Sequence, residues 1–220
     1  RRVGLEFLEE EKIMGQLNGS EILAKALKRE GVEELFFLMG GPMLTAEAAT
    51  IQEGIRCIDV RHEQAAAMMA QAYSRLRQKP GFCMAASGPA TINLSTGLAN
   101  ALIDCCPVVA LGGAGPVSGY GRQVFQEIDQ MEIMSGCVKY AARVHDARRI
   151  PEMLNVAMQR AMSGKPGPVY LDLPGDVLYQ MVDEDKIDWS PSERPILGAR
   201  PPAPQAQIDE LAAALAKAER

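Results

Sequence analysis

Glu63 is the first side chain in this sequence with chemistry open to it. It lies in Val60-Arg61-His62-Glu63-Gln64-Ala65-Ala66, where a strand-like segment gives way to a helix-like one. A carboxylate at a helix start faces unpaired N–H groups and the positive end of the macrodipole, so by position alone it reads as a residue that helps the helix begin. A second junction of the same kind follows in Ala86-Ser87-Gly88-Pro89-Ala90-Thr91-Ile92-Asn93, with Gly88 and Pro89 suited to the N-cap and first helical positions. Gly40-Gly41-Pro42 and Gly112-Gly113 end two further apolar runs. For Gly40, Gly41 and Gly88, a tight turn and a direct ligand contact are both consistent with the spacing.

Other chemistries find less support. The five cysteines are odd in number and show neither C-x-x-C nor zinc spacing, which points to reduced core residues of a cytoplasmic protein. The two histidines, His62 and His145, lie too far apart to form a helical ligand pair, so no protein-ligated metal is expected. His62 reads as a helix-start residue with a local hydrogen bond. Lys and Arg number 23 against 28 Asp and Glu, a net charge of -5 without a basic stripe, so nucleic acid is not an expected partner. Apolar residues make up 47% of the 220, yet no run approaches the roughly 20 residues of a membrane span. Residues 1–13 are charged, lack an apolar core and precede Met14, so they read as a tail rather than a signal peptide.

The elements that must position these residues alternate along the chain. Asn18 and Glu21 have the spacing of a capping box for a helix over 19–30 that stops at Gly31. Strands are expected over 35–39, 55–60, 82–86, 107–112 and 169–173, and an extended segment over 137–144. Between them fall a helix from about Leu44, the Glu63 helix, a helix over 90–103, one over 125–134 and one over 150–161. In the Glu63 helix, Ala65, Met68, Met69, Ala72, Tyr73 and Leu76 form the stripe expected to face the core. Residues 114–124 are a glycine-rich loop of functional length. Strands apolar on both faces, alternating with helices, predict an α/β fold: a mostly parallel central sheet covered by helices on both sides. In such sheets, sites form at the carboxyl ends of the strands, where Gly40-Gly41, Glu63, Ser87-Gly88-Pro89 and Gly112-Gly113 all fall.

Arg61-His62-Glu63-Gln64-Ala65-Ala66, then Ser87-Gly88-Pro89-Ala90-Thr91-Ile92-Asn93, then Phe125-Gln126-Glu127 together resemble the pyrimidine-binding (PYR) domain of thiamine-diphosphate enzymes. The likeness runs from about Gly19 to Asp176. Within that superfamily the chain is most similar to the branch of acetolactate synthase, oxalyl-CoA decarboxylase and 2-hydroxyacyl-CoA lyase. Glu127-Ile128-Asp129-Gln130-Met131 and Ser163-Gly164-Lys165-Pro166-Gly167-Pro168-Val169-Tyr170-Leu171-Asp172-Leu173-Pro174 carry the likeness to the acyl-CoA members. The resemblance implies that Glu63 hydrogen-bonds N1′ of the cofactor's aminopyrimidine and favours its imino form, which then takes the proton from the thiazolium C2. Gln in its place would hydrogen-bond without sharing a proton. It further implies cofactor contacts at Gly40, Gly41, Ser87, Gly88, Pro89, Asn93 and Gln126, and an aromatic on the substrate side at Phe125, for which core packing is the alternative. The chain departs from the family's turn at Ala90 and Ile92, where Gly and Thr are usual, and at Met39, where Pro is common.

The Gly-Asp-Gly…Asn motif by which this family's second (PP) domain holds the diphosphate through Mg²⁺ is missing from the sequence. Hard oxygen ligands are needed there, so the 220 residues alone are expected to bind the cofactor weakly and to catalyse nothing. The resemblance implies a homo-oligomer in which a PP domain, from a neighbouring subunit, completes the site. The expected organisation is a tail over 1–18, the PYR domain over 19–188, a Pro-rich linker over 189–204, and over 205–220 the start of a second domain. Two alternatives stand beside this reading of an N-terminal piece of a C–C lyase, synthase or decarboxylase. One is a separate PYR subunit of a two-subunit decarboxylase. The other is a non-catalytic nucleotide-binding module using Gly112-Gly113-Ala114-Gly115.

Overall fold

Asn18 and Glu21 make the reciprocal cap their spacing predicts. Asn18 Oδ1 accepts from the Glu21 N–H at 2.9 Å, and Glu21 Oε2 accepts from the Asn18 N–H at 3.0 Å. The helix they open, α1 (Gly19–Arg29), buries Ile22, Leu23, Ala26 and Leu27. The computed structural model describes residues 15–193 and 202–219. Before α1 runs β1 (Gln16–Asn18), which pairs antiparallel with β8 (Met181–Asp183). Gln16 to Asn18 are thus built into the fold, and the part of the expected tail that precedes Gly15 lies outside the described residues.

From α1 the chain continues through β2 (Glu34–Leu38), α2 (Leu44–Gln52), β3 (Arg56–Asp59), α3 (Glu63–Arg77), β4 (Gly81–Ala85), α4 (Pro89–Asn93), α5 (Ser95–Ile103) and β5 (Val108–Ala114). It then forms α6 (Gln130–Ser135), β6 (Tyr140–Arg143), α7 (Ile150–Met162), β7 (Val169–Pro174) and α8 (Gly175–Leu178) before β8. Six strands make one parallel sheet in the order β3-β2-β4-β5-β7-β6. Alternate residues of the central strands feed two cores. Val109 and Leu111 join Leu23, Leu27 and Leu154 from α1 and α7 on one face, while Val108 and Ala110 join Ala67, Ala70 and Leu98 from α3 and α5 on the other. The α/β sandwich expected from the alternation is the observed architecture.

The order in which successive strands join the sheet reverses between the parallel neighbours β2 and β4. After β2 the chain enters α2 through Met43 and Ala46, which belong to the first core, whereas α4 and α5 after β4 lie on the face of the second. Neighbouring connections that leave to opposite faces open a crevice at the strands' carboxyl ends. The segment after β2 and the segment after β4 flank that crevice.

Several elements differ from their expected limits. The helix expected over 125–134 begins only at Gln130, because the Glu127 carboxylate folds back onto the N–H groups of Gly121 and Val124, and Asp129 caps the helix by accepting from Glu132 N at 3.2 Å. The helix over 90–103 forms as two, α4 and α5, joined at Leu94. The extended segment over 137–144 is regular only across β6.

The core face of α3 is rotated from the expected stripe. Ala66, Ala67, Ala70, Gln71 and Ser74 are buried, whereas Met68 and Met69 are exposed and Leu76 is 85% exposed. Close backbone approach selects the small residues: a Cβ at Gly81 would lie 2.0 Å from the Ala70 carbonyl oxygen, and one at Gly97 would lie 2.6 Å from the Ala67 Cβ. Long side chains cannot enter such contacts, so the alanines face inward.

Trp189, placed at the start of the linker by composition, packs on the first core, with Arg29 stacked 4.5 Å above its ring. A 3₁₀ turn, Ser190–Glu193, follows with Pro191 and Ser192 buried. Residues 194–201 of the expected linker lie outside the described residues, and α9 (Gln205–Lys217) forms the helix expected near the end.

Candidate active site

Glu63 is the first residue of α3 and is only 8% exposed. His62, the N-cap, turns its Nδ1 to accept from Gln64 N at 3.2 Å, the local hydrogen bond expected of it. The Glu63 carboxylate is engaged from the second junction: Asn93 Nδ2 donates to Glu63 Oε2 at 2.9 Å. Asn93 ends α4, whose first residue is Pro89. Two segments 30 residues apart thus converge, and a carboxylate can accept about four hydrogen bonds, so Glu63 keeps capacity for another partner.

A second cluster forms around Ser87. Its Oγ donates to Gln126 Oε1 at 2.8 Å and approaches the Gly41 carbonyl oxygen at 3.4 Å, spanning the crevice between the segments after β2 and β4. Gly88 has φ 59° and ψ -117°, and a Cβ there would lie 2.2 Å from the Gln126 carbonyl oxygen, so only glycine fits this turn. Gln126 itself has φ 59°. At Gly40 a Cβ would lie 2.6 Å from that of Ala86, whereas Gly41 has open space around it. Gly41, Ser87 and Phe125 line a groove of about 520 Å³ with Pro42, Val124 and Tyr179. Phe125 is 84% exposed, which removes core packing as its role.

The expected site residues therefore fall into two groups, the Glu63–Asn93 pair and the Gly41–Ser87–Gln126 cluster with Phe125. Helix α4 joins them. Gly112 and Gly113, by contrast, are interior to β5. A Cβ on Gly112 would lie 2.6 Å from Tyr170, and one on Gly113 would lie 2.9 Å from Pro42. Close packing accounts for this glycine pair, which removes the basis for a nucleotide-binding loop.

A buried polar network beneath the second cluster was not flagged by the sequence. Gln130, 2% exposed, accepts from the Gly88 N–H through Oε1 at 2.8 Å. Its Nε2 lies 2.8 Å from the Gly113 carbonyl oxygen, 2.8 Å from Tyr170 Oη and 2.5 Å from Asp172 Oδ1. Tyr170 Oη donates to Asp172 Oδ1, and Arg143 pairs with Asp172 Oδ2. Burial, and next the Asp172 charge, push the Tyr170 phenol well above its ordinary range, so it stays a neutral donor. The signal available was Asp172, a lone carboxylate in the apolar run Val169 to Leu173.

Comparison with known proteins shows the family. Residues 17–133 match the family described as thiamine pyrophosphate enzyme, N-terminal TPP binding domain, and the chain belongs to that family. Among its relatives, it is 35% identical over 211 residues to a 2-hydroxyacyl-CoA lyase of Arabidopsis thaliana, covering 93% of this chain and 36% of that protein. It is 35% identical over 205 residues to the large subunit of acetolactate synthase isozyme 2 of Escherichia coli, again covering 93% and 36%. A probable acetolactate synthase large subunit of Methanococcus aeolicus is 40% identical over 185 residues, 84% of this chain and 31% of that protein. The chain thus spans about a third of the length of these relatives.

Proposed function

We infer that this chain supplies the cofactor-activating half of a thiamine-diphosphate enzyme that makes or breaks a C–C bond next to a carbonyl. Its substrates are of the 2-keto acid or 2-hydroxyacyl-CoA and oxalyl-CoA type. The observation that carries this reading is Glu63: a carboxylate almost removed from water, at a helix start, with one oxygen fixed by Asn93 from the segment after β4. Such a group suits a ring nitrogen that gives and takes a proton. Gly41, Ser87 and Gln126 form a polar cluster joined to it through α4, and Glu63 keeps accepting capacity beyond its bond from Asn93, so the residues present fit the cofactor. When bound, the thiazolium of thiamine diphosphate supplies an electron sink for the carbanion left at the carbonyl carbon. The protein's part is to hold a proton at the Glu63 carboxyl, to keep that carboxyl oriented through Asn93, and to present Phe125 and the apolar groove to the substrate.

Among the described residues no three His, Cys, Asp or Glu side chains come together to hold a metal. The diphosphate and Mg²⁺ are assigned to a PP domain contributed by a neighbouring subunit of a homo-oligomer. Family membership and the branch of the relatives support this division. We place the PYR domain over 19–188, extended by β1 and the turn through Glu193 that the fold incorporates. No described helix is long and apolar enough to cross a membrane.

The test is Glu63→Gln in the full-length protein, with the cofactor's C2-H/D exchange and turnover read together. Both should fall by roughly 10² or more, the scale of a lost acid–base partner. Normal exchange at saturating cofactor would end the assignment of Glu63.

A further inference from the structure

Gln130 occupies a place that nothing in a helix start requires. It is the first residue of α6, yet its side chain turns inward and connects three parts of the fold: the turn after β4 through Gly88, the end of β5 through Gly113, and the middle of β7 through Tyr170 and Asp172. The orientation of its amide follows from its partners. The Gly88 N–H can only donate, so it meets the amide oxygen, and Gly113 O and the Asp172 carboxylate can only accept, so they meet the nitrogen. Two amide hydrogens serve three acceptors, and the Tyr170 hydroxyl sends its own proton to Asp172. Every member is buried, and Arg143 neutralises the Asp172 charge at the far end.

We propose that Gln130 is the positioning residue of the Glu63 site: by holding the Gly88 N–H it fixes the turn from which α4 carries Asn93 to the Glu63 carboxylate. The assignment rests on the reading of Glu63 given above. Gly88 needs such a hold, because glycine has no conformational preference of its own to keep φ 59° and ψ -117°. The turn is clamped on its other side by Ser87 and Gln126, and Gln126 precedes Gln130 by four residues. One short segment, 126–130, therefore grips Ser87 and Gly88 together. Releasing Gln130 frees the start of α4, and a displacement of about 1 Å at a reacting group costs on the order of 10²-fold in rate. Gln130 touches no reacting atom.

The experiment compares Gln130→Met with Tyr170→Phe in the full-length protein, by hydrogen–deuterium exchange of peptides covering 86–94, thermal midpoint, kcat and KM. Both variants break the buried network and should lose stability, but only the first removes the acceptor for the Gly88 N–H. Gln130→Met should speed exchange over 86–94 by about tenfold or more and lower kcat by at least about tenfold with KM for substrate within threefold. Tyr170→Phe should leave exchange in that segment and kcat within about threefold of wild type. Equal behaviour of the two, or a protected 86–94 segment in Gln130→Met, overturns the proposal. If Gln130→Met does not fold, Gln130→Glu combined with Asp172→Asn decides. The pair retains an acceptor for the Gly88 N–H without setting a second carboxylate against Asp172, so protection at 86–94 supports the role and its loss overturns it. Should Glu63→Gln prove fully active while Gln130→Met still opens the segment, the reading of Glu63 fails and the hold on the turn survives, so the two failures are distinguishable.

Discussion

Glu63 and Asp172 show how differently two buried carboxylates are treated in one sheet. Glu63 carries a bond from Asn93 and retains accepting capacity, whereas Asp172 is surrounded by Arg143, Tyr170 and Gln130. Substitution should therefore separate function from stability. Glu63→Gln keeps the shape and an acceptor for Asn93, and loss of charge at a helix start costs only about 0.3 to 1 kcal/mol, so its thermal midpoint should hardly move while turnover collapses. Arg143→Met leaves the Asp172 charge without its cation. That should cost near the lower end of about 3 to 5 kcal/mol by denaturant unfolding, because Tyr170 and Gln130 still donate to the carboxylate; a loss under about 1 kcal/mol would mean the pair is not closed in solution. Burial pushes the Cys83 thiol up to about 12, so it stays protonated at neutral pH. Alkylation at pH 8 of the folded protein should spare Cys83 while modifying the half-buried Cys105 and Cys137 first; rapid labelling of Cys83 would contradict its place in the core.

At the scale of elements, the site depends on how α3 and α4 start and on what presses against those starts. Helix α4 is only five residues long and has no side-chain cap, so its position comes from the Gly88 turn and not from its own propensity. Gly88→Ala places a methyl against the Gln126 carbonyl in a backbone region that L residues avoid. The expected loss is about 1 to 3 kcal/mol in unfolding free energy, with reduced cofactor affinity because Ser87 and Gln126 must separate. An unchanged midpoint would show that the turn relaxes elsewhere. The shift of the α3 core face has the same origin in close approach, since the alanine side of the helix is the one that can meet the Gly81 and Gly97 backbones.

For the molecule as a whole, the crevice between β2 and β4 collects the segments that carry Gly41, Ser87 and, through α4, Asn93. Outside it, α3 presents Met68, Met69 and Leu76 to solvent. An exposed apolar stripe on the helix that begins at Glu63 fits the interface of the proposed homo-oligomer. Charging it with Met69→Lys and Leu76→Lys should lower the sedimentation coefficient of the full-length protein at micromolar concentration. An unchanged distribution would remove this face from the interface.

The local code was legible because it is short in range: capping boxes, turn glycines and strand-to-helix junctions are set by neighbouring residues. Asn18 with Glu21, the parallel α/β order, and the placement of Glu63 and Ser87-Gly88-Pro89 at strand ends all follow from it. Spacing alone read Glu63 as a helix-start residue, and the proton-sharing role proposed for it comes from the family likeness. Tertiary structure decided the rest. Periodicity put the core face of α3 on Met68, Met69 and Leu76, and the structure turns Ala66, Ala67 and Ala70 inward instead, since the choice depends on two glycines in other elements. Polar Gln130 before an amphipathic stretch looks like a solvent residue. It is buried only because β5, β7 and the Gly88 turn, separated from it by 17 to 42 residues, together supply every hydrogen-bond partner its amide requires.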